Sequence, residues 1–561
     1  VNPDGKPDAH TSEPDGPAPV LAAPEAPRDN APRAEGSLVR NAGVVAAGTL
    51  VSRVLGLVRD QVIAAHFPRE LTDPFFTAFT IPNALRALLA EGAVSAAVIP
   101  LYSEARAKEG EGRAKEVHRT LAGALLLVLA AVSVLGVVFA PLIVGLYASG
   151  YADDPVLFAR TVLLVRIMFP YIFFMGSAAV GMAALNANGR FAVASLTPAL
   201  LNVALIAAPF ALVPLLSPLG VEPIVSLAIA VVIGGLLQVV AQWPALRAID
   251  HLRPPRLSLR DPMVKRAALL LVPVTVGLGV YQLNVMLSQT FASFLGEGSR
   301  SYLYYGQRLV EIPQGMFALA LASASLPRLS ALRNAGDVEG VRVTLMTGVR
   351  QALFIALPAS VLLVVLAEPL IAVLFGRGAF LRVDVLETSR SLAWQGAGVV
   401  FIALVRVLVP VFHAHGDTKS PVWASAGNLI AFAAVTGLLL RLGHVGIAIG
   451  ITAAGAVQLV LLSLLVRRKL GRVLPSSLVP SQLVLAVLRL VFASGAAGGA
   501  AYGVALFGHW ERGGNDLGNL VVLIVAMLAA GLAYVLGCWL VGASELRDVM
   551  GALRRRTGSA R

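Results

Sequence analysis

The 561-residue chain is poor in charge: Asp, Glu, Lys and Arg make up 14% of it, against 57% hydrophobic residues. A soluble domain carries roughly 25% charged residues, so a water-facing surface cannot cover this chain. It has one cysteine, Cys538, which excludes a disulfide framework and a cysteine-based metal centre. Sustained period-two alternation is missing, which argues against a transmembrane β-barrel. Long loops are missing too, and no Asp/Glu/His group has catalytic spacing. A membrane enzyme of glycan assembly needs a positioned carboxylate or metal, so a non-enzyme is expected. No nucleic-acid motif accompanies the formal charge of +13, and neither nucleic acid nor a cofactor is expected.

What is present is a series of apolar runs near bilayer length, with a mean hydropathy of +0.77. That pattern reads as an all-α polytopic membrane protein. We count fourteen expected transmembrane spans, the first near 40–66, the second near 74–103 and the eighth near 299–328. The connections alternate in charge. Arg106, Lys108, Arg113, Lys115 and Arg119 follow the second span; Arg247, Arg253, Arg256, Arg260, Lys265 and Arg266 follow the sixth; Arg467, Arg468, Lys469 and Arg472 follow the twelfth. The tail adds Arg547, Arg554, Arg555 and Arg556, while Ala152–Pro155 and Gly508–Asp516 are poor in basic residues. The positive-inside rule then places both termini in the cytoplasm, with Arg377 and Arg382 as exceptions.

Weak repeats six spans apart divide the chain. Ser95-Ala96-Ala97-Val98-Ile99-Pro100 is echoed by Ser323-Ala324-Ser325-Leu326-Pro327, and Gly189-Arg190 by Gly416-Asp417. The expected organisation is a disordered extension over 1–36, an N-terminal lobe over 37–250, a basic linker over 251–262, a C-terminal lobe over 263–470, and two further helices with a basic tail over 471–561. Two six-helix lobes around a central cavity, plus two C-terminal helices, make a transporter plan. The extension has neither the basic start nor the short apolar core of a secretory signal.

Charged residues inside the apolar segments carry the functional reading. An ionisable group at membrane depth costs about 2.5–3.5 kcal/mol or more and is functional by default. The first span holds Ser52-Arg53-Val54-Leu55-Gly56-Leu57-Val58-Arg59-Asp60; the second holds Pro82-Asn83-Ala84-Leu85-Arg86 and Ala90-Glu91-Gly92; the eighth holds Tyr304-Tyr305-Gly306-Gln307-Arg308-Leu309-Val310-Glu311. Arg53 and Asp60 are seven residues apart and share a helix face, as do Asn83 and Arg86 at i, i+3. The bland alternative is that each arginine pairs with a carboxylate to tie helices together. Arg53, Arg59, Arg86 and Arg308 outnumber their local partners, and arginine cannot shed its proton to escape burial. Their guanidinium forks suit phosphate or pyrophosphate. Arg166 and Arg406 sit alone in apolar spans and fit a lobe interface. Glu368 fits a helix cap or a coupling-ion site, and His413, His415 and Asp417 fit a solvated helix end rather than a metal site.

The quoted stretches of the first, second and eighth spans, with Ala93-Val94-Ser95 after Gly92, resemble the signature of the MurJ (MviN) family, in order and over residues 37 to the C-terminus. The resemblance implies a fold of the multidrug/oligosaccharidyl-lipid/polysaccharide (MOP) exporter superfamily. It implies movement of lipid II, the undecaprenyl-pyrophosphate-linked peptidoglycan precursor, across the bacterial inner membrane by alternating access. By position it assigns Arg53, Arg59, Arg86, Arg308 and Asn83 to substrate binding. It assigns Asp60, Asp73, Glu91, Gln307 and Glu311 to cavity, coupling or ion-pair roles, and the terminal helix pair to a groove for the lipid tail. Many relatives carry an acidic residue where this chain has Gln307, which makes the cavity more positive. The implied partners are lipid II, the bilayer and proteins of cell-wall synthesis; a monomer suffices. The rival readings are an exporter of another prenyl-linked glycan with the same fold, and a membrane enzyme polymerising glycan.

Overall fold

The computed structural model describes residues 31–547, apart from 87–94, 253, 470 and 472–480; within 31–42, 95–97, 272–281, 315–326 and 481–482 it describes the course of the helix alone. The described residues are helical throughout and contain no strand. In the N-terminal half the helices are α1 (Ala31–His66), α2 (Arg69–Arg86), α3 (Ser95–Glu109), α4 (Glu111–Val138), α5 (Ala140–Tyr147), α6 (Pro155–Met168), α7 (Tyr171–Ala187), α8 (Phe191–Leu196), α9 (Ala199–Leu216) and α10 (Pro223–Ala248). The remainder holds α11 (Pro262–Ser293), α12 (Ser299–Asn334), α13 (Val338–Val365), α14 (Ala367–Phe375), α15 (Arg382–Ala397), α16 (Val399–Ala414), α17 (Lys419–Leu439), α18 (His444–Lys469), α19 (Ser481–Ala505) and α20 (Leu517–Leu540). Residues 31–36, expected to be disordered, are helical; 1–30 and the tail beyond 547 lie outside the described residues.

Several expected spans are broken rather than continuous. Pro170 and Pro198 stand immediately before α7 and α9, because a proline lacks the N–H that would continue the preceding turn. Phe139, Leu366 and Gly398 mark the other breaks. Aspartates start the helices after tight loops. Asp154 accepts from the amides of Val156 and Leu157 at 3.0 Å, and Asp261 accepts from Met263 N at 2.9 Å. Each cap satisfies amides that the first helical turn leaves without partners.

Among the described residues, ten helical stretches are long and apolar enough to cross a membrane by length and composition. The first, second, seventh and eighth expected spans are not among them. The first, second and eighth carry Arg53, Arg59, Arg86 and Arg308, and the second, seventh and eighth pass through stretches that are not fully described. The surface is inverted relative to a soluble protein: Leu438 is 81% exposed and Phe507 76%, while Arg59 and Asp60 are buried. Such an apolar exterior is costly in water and suits lipid.

The N-terminal lobe packs α1 on α8 and α9, α2 on α6, and α10 on α7 and α9. In the C-terminal lobe α12 packs on α13, α15 and α16, and α18 on α15, α16 and α17. The α19–α20 hairpin lies against α13 and α14. Helix α11, expected to open the C-terminal lobe, packs on both lobes, touching α3 and α4 as well as α17. The linker is strapped to α4: Arg256 N donates to Arg119 O at 3.0 Å and Arg119 Nε to Pro254 O at 2.9 Å. Burial among these elements pushes the His251 imidazole below its usual range.

The lobes also meet through backbone at the end carrying the loops poor in lysine and arginine. Ala379 N donates to Ala65 O at 2.8 Å. The neighbouring Gly378 is left-handed, with φ of +60°, and a Cβ there would collide with the carbonyl of Ala65. Gly378→Ala is therefore expected to destabilise the protein by about 1–3 kcal/mol, seen as a lower Tm in detergent. A raised Tm, the usual result of Gly→Ala at an unstrained site, would contradict this reading.

Candidate functional site

Helices α1, α2, α9 and α12 surround a cavity of about 320 Å³. Its lining includes Ser52, Arg53, Arg59, Asn83, Arg86, Asn202, Tyr304, Gln307, Arg308 and Glu311. The structure thus brings Arg53, Arg59, Arg86, Arg308, Asn83, Gln307 and Glu311 together around one cavity. Glu91 lies outside the described residues.

Asp60 organises the cluster beside the cavity and has no exposed surface. Arg59 donates to its Oδ1 through Nε at 2.9 Å and Nη2 at 2.6 Å. Arg308 comes from the other lobe, with its Nε 2.9 Å from Asp60 Oδ2. Tyr304, also on α12, donates its hydroxyl to Asp60 Oδ1 at 3.2 Å and accepts from Arg59 Nη2 at 2.9 Å. Its ring stacks on Phe76 of α2, with centroids 3.8 Å apart. The remaining Arg59 nitrogen, Nη1, donates to Asn202 Oδ1 at 3.0 Å, while Asn202 Nδ2 donates to Ser52 O at 3.0 Å. One amide thereby ties α9 to α1 and aims Arg59.

Arg308 Nη1 also donates to Glu311 Oε2 at 3.1 Å, and Arg86 Nε donates to Asn83 Oδ1 at 2.9 Å. Arg53 is exposed to the cavity. The bland reading therefore holds in part, since Arg59 and Arg308 do pair with carboxylates. Among the described residues at the site, Arg53, Arg59, Arg86 and Arg308 stand with two carboxylates, Asp60 and Glu311. Several guanidinium groups face one small space, an arrangement suited to an anion with oxygens on more than one side.

Asp73 stands elsewhere. It is buried, and it caps α12 across the lobe boundary: Oδ2 accepts from Gly298 N at 2.7 Å, and Oδ1 from Ser301 N at 2.9 Å and Ser301 Oγ at 2.6 Å. Around it, Thr72 and Ser301 share a 2.7 Å hydrogen bond, and Arg69 reaches Asp384 at 2.9 Å, where Tyr302 also donates at 2.9 Å. This network binds α2 to α12 and α15 one turn beyond the cavity-lining Phe76 and Tyr304, holding the lobes together at that end. Asp73 therefore sits in the contact between the lobes and does not line the cavity.

The other candidates resolve structurally. Arg166 is exposed on an outer face of α6 with Val156 and Leu163. Arg406 Nη1 donates to Gln314 O at 2.8 Å, within the C-terminal lobe. Glu368 pairs with Arg382. Asp417 caps α17, accepting from Ser420 N at 2.9 Å and Ser420 Oγ at 2.6 Å. The Ser420 hydroxyl bond holds its carboxyl well below the usual range, and Lys469, 3.0 Å away, adds to this. Among the described residues no cluster of three or more His, Cys, Asp or Glu could hold a metal ion. Asn202, Arg69, Asp384 and Ser301 were not anticipated. The only local signal for Asn202 is an amide inside an otherwise apolar span.

Two helical lobes around a polar cavity, built from helices long and apolar enough to cross a membrane, define a polytopic membrane protein of transporter architecture. The family described as lipid II flippase MurJ matches residues 64–511. The probable lipid II flippase MurJ of Vibrio cholerae is 36% identical over 437 residues, 76% of this chain and 82% of that one. The lipid II flippase MurJ of Burkholderia cenocepacia is 36% identical over 440 residues, 77% and 84% respectively. A solved lipid II flippase MurJ in an inward closed conformation superposes with a TM-score of 0.72 at 25% identity, covering 90% of this chain and 99% of that one. The fold is shared with MATE family transporters solved inward-facing (TM-score 0.61, 16% identity, 75% and 95% covered) and outward-facing (0.52, 17%, 78% and 96%). This chain belongs to the MurJ family. It is a multi-pass protein of the bacterial inner membrane, and a transporter rather than an enzyme.

The Asp73 cap makes charge-assisted hydrogen bonds, each worth about 1.5–3 kcal/mol. Asp73→Asn is expected to weaken this contact between the lobes, shifting the population of open molecules by roughly 10-fold or more. With Cys538→Ala as background, a Thr72→Cys reporter measures this, since Thr72 is buried beside Ser301 of the other lobe. Asp73→Asn should speed thiol labelling at position 72; an unchanged rate would mean the cap does not hold that contact.

Proposed function

We propose that this protein flips lipid II from the inner to the outer leaflet by alternating access, and that the arginine-lined cavity binds the pyrophosphate. The observation that carries the reading is the placement of Arg53, Arg59, Arg86 and Arg308 around one cavity. Family membership supports the substrate, since the named relatives are lipid II flippases. The charge of the connecting loops supports an orientation with both termini, and the end of the cavity away from the Asp73 network, on the cytoplasmic side.

In the proposed cycle the head group enters the cavity while the prenyl tail stays in lipid along the α19–α20 hairpin. A pyrophosphate between Arg59 and Arg308 competes with Asp60 for both. A ligand oxygen that accepts from Arg308 Nε, or from Arg59 Nε or Nη2, displaces Asp60 from that same donor and so weakens the clasp between the lobes. Binding therefore loosens the link between α1 and α12, the contacts of the Asp73 network part, and the lobes rock to face outward. MATE relatives solved facing both ways support this motion for the fold. An inside-negative potential favours outward movement of an anion by about 2.3 kcal/mol per charge per 100 mV. Gln307, which lines the cavity, adds no carboxylate to oppose the ligand. A cationic-drug exporter would want a cavity dominated by carboxylates, and this one has the opposite sign. Transport of another prenyl-pyrophosphate glycan would use the same arginines.

Complementation of a bacterium depleted of its own lipid II flippase tests the reading, with surface lipid II scored by an external lipid II-cleaving toxin. Wild type is expected to rescue. Arg53→Ala, Arg59→Ala, Arg86→Ala and Arg308→Ala, at matched expression, should each lose most of the toxin-sensitive signal. A misplaced or missing clamp group costs about 10²-fold. Rescue by all four variants would overturn the arginine mechanism.

A further inference from the structure

The path of Arg308 between the lobes depends on a residue that the proposed mechanism leaves unused. Gly56 lies on α1, one turn before Arg59 and Asp60. Its backbone is helical and does not call for glycine, and glycine inside a helix is unfavourable relative to alanine. The reason for it is spatial. A Cβ built on Gly56 would collide with Nη2 of Arg308 and stand 3.8 Å from Nδ2 of Asn202. The obstructed atom is the tip of a long side chain, so a methyl group there would move Arg308 and leave the backbone in place. Arg308 would then lose its 2.9 Å approach to Asp60 Oδ2. Gly48, also on α1, faces the side chain of Ser195 within the same lobe, which is ordinary helix packing. Gly56 faces a cation from the opposite lobe.

We infer that Gly56 is a positioning residue: it is the seat on α1 in which the Arg308 guanidinium crosses between the lobes, and its lack of a side chain sets where that guanidinium lies relative to Asp60 and Arg59. The seat itself rests on geometry alone; its consequence for the ligand rests on the proposed role of Arg308. Residue 56 touches no substrate in this account. It acts through Arg308, and the link between the two has a signature that a general packing defect lacks. In a helix interior Gly→Ala normally stabilises, so its effect should change sign according to what occupies position 308.

The test is a two-by-two comparison of wild type, Gly56→Ala, Arg308→Gln and the double variant, purified into lipid nanodiscs. Gly56→Ala should lower the Tm when Arg308 is present. It should raise the Tm in the Arg308→Gln background, where no Nη2 remains to meet the methyl group. Equal shifts in both backgrounds would overturn the seat. Lipid II titrated into the same nanodiscs provides the second readout, and the apparent Kd should rise at least ten-fold on Gly56→Ala alone. A reversed Tm effect with unchanged lipid II affinity would overturn the placement of Arg308 for the ligand. If wild type itself fails to bind lipid II, the proposed substrate fails, and the Tm comparison still decides the seat.

Discussion

The structure turns on one buried carboxylate. Asp60 is fully enclosed, and it is held by Arg59 of its own helix and by Arg308 and Tyr304 of the opposite lobe. Taking such charges out of water costs several kcal/mol per ion, and arginine cannot relieve that cost by losing its proton. The cluster persists only while its members satisfy one another. Removing one partner from a buried pair typically costs about 3–5 kcal/mol. In lipid no hydrophobic force presses one lobe on the other, so a polar clasp of this kind carries unusual weight in setting how the lobes sit.

The clasp and the Asp73 network are connected through α12. Ser301, Tyr304 and Arg308 fall at i, i+3 and i+7, so one stripe of that helix faces the N-terminal lobe. Its first turn is capped by Asp73 and its third reaches Asp60. Two carboxylates of the N-terminal lobe thus hold two points on one rigid element of the C-terminal lobe. An anion that replaces Asp60 as partner of Arg308 changes one point directly, and the helix carries that change to the other. This gives the proposed cycle a physical route from ligand to gate, without requiring a titrating carboxylate at Gln307.

Much of this was legible in the sequence, and the limits have clear causes. Apolar length and loop charge predict the helical membrane fold, because a bilayer imposes both. The cost of intramembrane charge points to Arg53, Arg59, Arg86 and Arg308, and the structure gathers them. Periodicity does not report which residues meet across lobes, so Asp73 could be placed near the site but not recognised as the cap of α12. Asn202 escaped notice because a single amide in an apolar span looks like packing until its two partners are seen. The breaks at Phe139, Leu366 and Gly398 were hidden because they interrupt geometry without interrupting hydrophobicity. Residues 31–36 share the composition of the extension before them, which favours disorder, yet they continue α1.

The central claim is that the ligand takes Arg308 from Asp60. A structure determined by electron cryo-microscopy in nanodiscs with bound lipid II tests it most directly. The account predicts pyrophosphate oxygens within hydrogen-bonding distance of Arg59 and Arg308, and an Arg308–Asp60 separation well beyond its present 2.9 Å. A head group bound elsewhere, with that pair intact, would contradict it.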